Sequence, residues 1–246
     1  MKRGTVVVGH LSPGLWSACF GASLIDLLFH DMANHRRIVS HPHGHMHKES
    51  GAGHIYAGRN KVAQVLLDES DAEWLFFVDS DMGFAPDTVD RLIASADRKD
   101  RPVMGGLAFA QKSDGTGPMF ARRYRAAPTL YQMGETDDEV GFVPMSDYPR
   151  DQVVEVAATG AACLLIHRTA LEKVRERHGD RWFHHIAKPK GAGDFGEDMS
   201  FCLRLATCDI PIHVDTAVKT THDKGGVFFD EDTFDLQQAF RAFARS

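Results

Sequence analysis

Long apolar runs are missing from this 246-residue sequence. Its hydrophobic stretches, such as WLFFV at 74 to 78, stop far short of the ~18 residues a membrane-spanning helix needs, so no span is expected. The opening MKRGTVVVGHLSPG has two basic residues but only a brief apolar run before Gly9 and His10. That is too little for a signal peptide, and a cytoplasmic protein is expected. Cysteine is scarce: Cys19, Cys163, Cys202 and Cys208 form no CxxC pair and lie inside apolar patterns. They read as reduced core residues, not as a disulfide framework. Basic charge is also short, with 28 Lys and Arg against 34 Asp and Glu, a net −6. That balance excludes nucleic-acid binding by generic phosphate neutralisation and leaves room only for a local basic site. No internal repeat is visible.

What is present is an ordinary globular composition, 43% hydrophobic and 25% charged, on a chain long enough for a full core. One domain over residues 1–246 is expected. The β-branched run at 5 to 8 reads as a buried strand, and Phe20, Leu24, Leu27 and Leu28 as one face of a helix over about 15 to 32. The polar stretch between Asn34 and Gly53 reads as a loop or weak strand. A helix from Ile55 to about Glu69 leads into the strand at 74 to 78, and Pro86 suits the first turn of the next helix. A strand over PVMGGLAF follows. Residues 111 to 150, rich in Gly, Pro and charge, read as a long excursion from the sheet. Strands at 153 to 157 and 162 to 167 precede a helix for which Thr169 and Glu172 match a capping box and Gly179 a stop. Another helix is expected near Glu197, then two short strands, IHVD and VKTTH, and an amphipathic tail helix. Strand and helix alternate as in an α/β fold.

The sharpest chemical signal is FFVDSDMGFAPDTVDRL, in which Asp79 and Asp81 follow a buried strand directly. Ligands of open α/β sheets sit beyond the carboxyl ends of strands, where two hard carboxylate ligands suit a divalent cation. The same residues also suit a turn-forming Asp and a solvated loop carboxylate. With its apolar strand before and Pro-started helix behind, the segment resembles the DxD region of nucleotide-sugar glycosyltransferases with the GT-A fold, in particular family-2-like enzymes. Further stretches agree in the family's order over roughly residues 5 to 222: VVVGHLSPG, YAGRNKVAQVLL, VVEVAATGAACLLIHRTALEKV, DFGEDMSFCLRL and IHVDTAVKTTHDKGG.

This resemblance implies a single Rossmann-like domain with a mixed, mostly parallel sheet flanked by helices. Its nucleotide-binding half would cover about 1–110, its acceptor-side half about 111–229, and a C-terminal helix about 230–246. It implies a hexosyltransferase-like enzyme that moves a sugar from a nucleoside diphosphate sugar, a UDP-sugar by preference, to a sugar, protein or small-molecule acceptor. The implied metal is Mn²⁺ or Mg²⁺, on Asp79, Asp81 and His222, an imidazole ligand leaning the choice to Mn²⁺. Ser12, Pro13, Arg59, Asn60, Asp79, Ser80, Gly160 and Lys224 would contact the donor, with Lys224-Gly225-Gly226 as a flap over it. Asp198, with Glu197 beside it, would be the acceptor-side base; both also suit the negative charge favoured at a helix start.

One stretch departs from the family. His41, His43, His45 and His47 alternate where the family's second strand brings an acidic residue to the base, and Pro42 and Gly44 break regular structure. They read as a solvated loop, not a metal site. Phe120, Tyr124, Tyr131, Phe142 and Tyr148 read either as acceptor-stacking surfaces or as local core. Two other function classes stay open. A metal-dependent nucleotidyltransferase or phosphohydrolase would use the same Asp-Ser-Asp, although HLSPGLW lacks the Gly-rich basic phosphate loop of the former. The third is a module that binds sugar nucleotide or metal without turnover.

Overall fold

Short apolar runs alternate with amphipathic stretches in the first half of the chain, and the structure follows that alternation. The computed structural model describes residues 4–11, 15–39, 46–49, 55–113, 124–135, 140–189 and 193–244, the strand at 46–49 by its backbone. In chain order the first elements are β1 (Val6–Leu11), α1 (Ala18–Asn34), β2 (Met46–Glu49), α2 (Ile55–Glu69), β3 (Trp74–Val78), β4 (Met82–Phe84), α3 (Thr88–Ser95), β5 (Val103–Leu107), β6 (Phe109–Ser113), β7 (Tyr124–Pro128), β8 (Leu130–Glu135) and β9 (Val140–Pro144). They continue with β10 (Val153–Val156), β11 (Ala158–Thr159), β12 (Cys163–His167), α4 (Arg168–His178), β13 (Ile186–Ala187), β14 (Asp194–Phe195), α5 (Glu197–Thr207), β15 (Ile212–Asp223), β16 (Phe228–Phe229) and α6 (Glu231–Phe243).

The main sheet has the order β10-β15-β5-β12-β3-β1-β2, with β4 and β16 paired to the far part of β15. β2, β1, β3, β5 and β15 run one way and β12 and β10 the other, which makes the sheet mixed and mostly parallel in direction. Helices cover both faces, and the strand alternation assigns residues to them. Leu75 and Phe77 join the core under α2, α4 and α5 with Val62, Leu171 and Phe201. Trp74, Phe76 and Val78 join the opposite core with Phe20 and Leu24 of α1 and Leu92 of α3. Fully burying a side chain of this size contributes ~1.5–3 kcal/mol, so the all-buried strand WLFFV anchors both layers. Gly9 is required where β1 passes α2, since a Cβ there would lie 2.6 Å from Val62 Cγ1.

Several expectations change. Of the stretch between 34 and 53, expected as a loop or weak strand, residues 46–49 are strand β2, parallel to β1, which puts His47 in the sheet opposite Gly9 and not in a solvated loop. The excursion at 111 to 150 does leave the main sheet, but as antiparallel pairs, β6 with β7 and β8 with β9. The two short final strands are one, β15, because a register shift between Asp215 and Lys219 lets a single strand serve β5 first and β4 afterwards. Thr169 does not cap α4. His167, still extended at φ −72°, ψ 143°, accepts from the Thr169 N–H and takes that place, which leaves Thr169 inside the helix. Pro86 lies just ahead of α3 instead of in its first turn. All four cysteines are free thiols, with Cys163 and Cys202 in the core as expected and Cys19 and Cys208 only half-buried. No helix among the described residues is long and apolar enough to cross a membrane.

Candidate functional site

Asp79, Ser80 and Asp81 form the turn between β3 and β4, closed by a hydrogen bond from Met82 N–H to the Asp79 carbonyl at 3.1 Å. Antiparallel pairing of β4 with β15 sets His222 opposite Met82, and Asp223 N–H donates to the Asp81 carbonyl at 2.8 Å. Register alone thus carries a histidine from 141 positions downstream to the Asp-Ser-Asp turn. His222 Nδ1 donates to the Phe109 carbonyl at 2.9 Å, which fixes the tautomer and turns the Nε2 lone pair outward. Nε2 is shut off from water and lies 3.2 Å from Asp81 Oδ2, out of hydrogen-bond alignment.

Two acceptors facing each other at that distance suit a cation between them. Lys224 already places one nearby, its Nζ 2.7 Å from the same Asp81 oxygen. Burial works against ionisation of Asp81, but the Lys224 ammonium lowers the carboxyl pKa. Lys224 is followed by Gly225 and Gly226 at φ 70° and 89°, the left-handed region that glycine enters without strain.

Asp79 turns the other way. Its Oδ1 accepts from Arg59 Nη2 at 2.9 Å, and among the described residues Asp79, Asp81 and His222 do not close into one three-ligand group. Arg59 is only 2% exposed. It donates to the Ala161 carbonyl at 3.3 Å, lies over the Phe77 and Phe183 rings, and faces Asp198 with Nε 3.7 Å from Oδ1. Burial opposes its charge, yet Asp79, Asp198 and Glu197 together raise its pKa and keep it charged.

Asp198 stands in the first turn of α5. Its side chain is 27% exposed overall, but Oδ1 is shut off from water. Burial raises its pKa to about 6, helped by Glu197 and Asp79 and opposed by Arg59. Gly160 borders it, a Cβ there lying at an ordinary 3.6 Å from Asp198 Oδ2. Tyr131 of β8 reaches the same place, its phenol held protonated by burial and by Asp198. Glu197 is half-buried beside it.

The structure therefore brings Arg59, Asp79, Asp81, Gly160, Asp198, His222 and Lys224 together at the carboxyl end of β3. Ser80 is buried in the turn, and its carbonyl accepts from Ser17 N–H at 3.0 Å, which sets the N-terminus of α1 beside the site. Asn60 is committed to the protein: its Nδ2 donates to His184 Nδ1 at 2.8 Å and its Oδ1 accepts from Phe183 N–H at 2.8 Å. Ser12, Pro13, Phe120, His41, His43 and His45 lie outside the described residues, as does the side chain of His47. Of the remaining aromatics, Tyr148 is core and bonds Glu231 at 2.9 Å, while Phe142 packs on Phe195. The joint role of Arg59 as counter-ion to both Asp79 and Asp198 has no sequence signal, because the three residues meet only in the fold.

No family model and no curated protein matches the chain. Solved structures do match. The crystal structure of A197 from STIV superposes with a TM-score of 0.56 at 17% identity, over 93% of this chain and 91% of that one. The crystal structure of GalNAc-T7 with UDP, GalNAc and Mn²⁺ superposes with a TM-score of 0.57 at 10% identity, over 90% of this chain and 44% of that one. The fold is GT-A-like and is shared with glycosyltransferases.

Proposed function

We propose that the protein is a metal-dependent glycosyltransferase that moves a sugar from a nucleoside diphosphate sugar, a UDP-sugar, to an acceptor hydroxyl. The observation that carries this reading is the Asp81–His222 pair, with Nδ1 of the imidazole pinned on Phe109 and Nε2 turned to the carboxylate. Mn²⁺ fits this mixed oxygen and nitrogen donor set better than Mg²⁺. When bound, the ion supplies Lewis-acid stabilisation of charge developing on the departing diphosphate. The shared fold supports the reading, as does the presence of UDP and Mn²⁺ in the GalNAc-T7 crystal structure.

The chain's own residues divide the work. Asp81 and His222 would hold the cation, and Asp79 would serve the ribose or a water of the cation's shell. Lys224, now paired with Asp81, would turn its ammonium to the diphosphate of a bound donor. Arg59 stands between Asp79 and Asp198, so that donor side and acceptor side share one buried positive charge. In an inverting transfer, Asp198 takes the acceptor hydroxyl proton on its carboxylate as the new bond to the anomeric carbon forms. A pKa near 6 suits that task, since the group is ionised at neutral pH yet basic enough to accept a proton. The nucleotide would lie over residues up to about 110, with Ser12, Pro13 and the end of α1 near it, and the acceptor against the segment from about 111 to 229. Incubation with a panel of UDP-sugars or of nucleoside triphosphates, with Mn²⁺, tests the reading. UDP release is expected from the first panel, whereas diphosphate or phosphate release from the second would favour a nucleotidyltransferase or phosphohydrolase.

A further inference from the structure

A second cluster of ligand-type side chains lies at the opposite end of α1. His30 belongs to the helix, His35 caps it, and Asp90 stands in the first turn of α3. His30 Nε2 at 2.9 Å and His35 Nε2 at 3.2 Å both approach one atom, Asp90 Oδ2. Among the described residues these are the one group of three whose ligand atoms all lie within 4.8 Å of one another. Ligands at the ~2.0–2.1 Å bond lengths of tetrahedral Zn²⁺ leave neighbouring donor atoms about 3.3 Å apart, so two edges of the tetrahedron are nearly formed.

The turn that delivers His35 is built for that placement. Arg36 has φ 52°, a conformation non-glycine residues seldom adopt. Buried Asp31 enforces it. Its carbonyl accepts from the N–H groups of His35 and Arg36 at 3.0 and 2.7 Å, and its carboxylate from those of Arg37 and Ile38 at 2.7 and 3.1 Å. The chain is thereby folded back so that His35 reaches α3. The carboxyl end of a helix favours positive charge, and the last turn of α1 has no basic side chain of its own. Arg37 Nη1 holds Asp90 Oδ1 at 2.6 Å, which leaves Oδ2 as the single ligand oxygen. The same guanidinium repels a dication, so binding is expected to be micromolar and not tighter.

We propose that His30, His35 and Asp90 form a structural Zn²⁺ site that clips the end of α1 to α3. Two imidazoles and one carboxylate favour Zn²⁺ over Mn²⁺. The 17 residues of α1 span about 25 Å, and its other end sits beside Ser80, so the two sites are well separated. On coordination each imidazole carries its proton on Nδ1 and gives the Nε2 lone pair to the ion. The exposed Asn34 amide, whose Nδ2 lies 3.2 Å from His30 Nδ1 and donates to the His30 carbonyl at 2.9 Å, must swing aside for that proton, and water completes the tetrahedron.

Titration calorimetry with Zn²⁺ at pH 7.5 tests the proposal, using the full chain with His41, His43, His45 and His47 changed to Ser so that this loop binds no metal. His35→Ala is the main variant because His35 is exposed, and its melting midpoint without metal checks that it is folded; Asp90→Asn is the second. A Zn²⁺-binding step is expected that either substitution weakens tenfold or more and that an equal concentration of Mn²⁺ does not displace. Zn²⁺ should also raise the melting midpoint of the parent but not of His35→Ala. Absence of binding in the parent would leave an ionic cluster only. Unchanged affinity in His35→Ala, or displacement by Mn²⁺, would put the ion elsewhere; each of these results overturns the proposal.

Discussion

Replacing Arg59 by Met keeps most of the side-chain length and removes the guanidinium, which takes a partner from three groups. Asp79 loses a charged hydrogen bond of 2.9 Å, the Ala161 carbonyl one of 3.3 Å, and Asp198 its neighbour at 3.7 Å. Removing one member of a buried ion pair costs ~3–5 kcal/mol because the other charge is left uncompensated. Asp79 and Asp198 are 31% and 27% exposed, so water replaces part of what they lose, and the lower end of that range, about 3 kcal/mol, applies here. For a chain of this size that corresponds to a fall in the melting midpoint of roughly 6–12 °C, measurable by circular dichroism. A second readout follows from Asp198. Its pKa, already raised to about 6 by burial, loses the one neighbour that lowers it most, so it moves further up. Transfer that depends on ionised Asp198 then falls away at a higher pH than in the parent. A midpoint within about 2 °C of the parent would mean that the buried cation is not holding these carboxylates. An unmoved pH profile would remove Asp198 from the charge network.

Asp198→Asn should lower transfer by on the order of 10²–10⁴-fold while donor affinity, read by calorimetry with UDP and Mn²⁺, stays near the parent value. In the parent, kcat/KM should decline as pH falls through about 6, where Asp198 takes up a proton. The same raised pKa makes the ionised group a burden on the fold, so its contribution to stability is greatest below the usual carboxylate range and is lost as pH rises through about 6. Lys224→Ala should raise the affinity for Mn²⁺ alone roughly two- to fivefold, the worth of a half-exposed ion pair, while weakening UDP; weaker Mn²⁺ binding would contradict the role of Lys224 as a charge that yields to the metal. Changing His41, His43, His45 and His47 together to Ser should leave turnover of a UDP-sugar within a few-fold, and a hundredfold loss rescued by added metal would place a functional ion on that loop.

The elements that stood out in the sequence are those whose apolar pattern is decided locally. Trp74–Val78 and, to within its approximate ends, Ile55–Glu69 are legible in the sequence because each is bounded by polar or turn residues and packs by its own periodicity. The strands β7, β8 and β9 are hidden in the sequence, since each pairs outside the main sheet and none shows a regular apolar–polar alternation. The single long β15 reads as two pieces in the sequence because its register shift between Asp215 and Lys219 interrupts the pattern. Asp79 and Asp81 were visible as a motif, but their divergence was not: one carboxylate turns to Arg59 and the other to His222 and Lys224. That division depends on which buried cation each side chain finds, a matter of tertiary contact. His222 was singled out only through the family resemblance, and the β4–β15 register supplies the physical reason for its position.

The most direct test of the central proposal is UDP release from a UDP-sugar with and without a divalent cation, in the parent and in His222→Ala. The proposal predicts release in the presence of Mn²⁺ that stops with EDTA, returns when Mn²⁺ is restored in excess, and is lost when the imidazole that faces Asp81 is removed. Release that persists in EDTA, or that is the same in His222→Ala as in the parent, would contradict a metal held between Asp81 and His222.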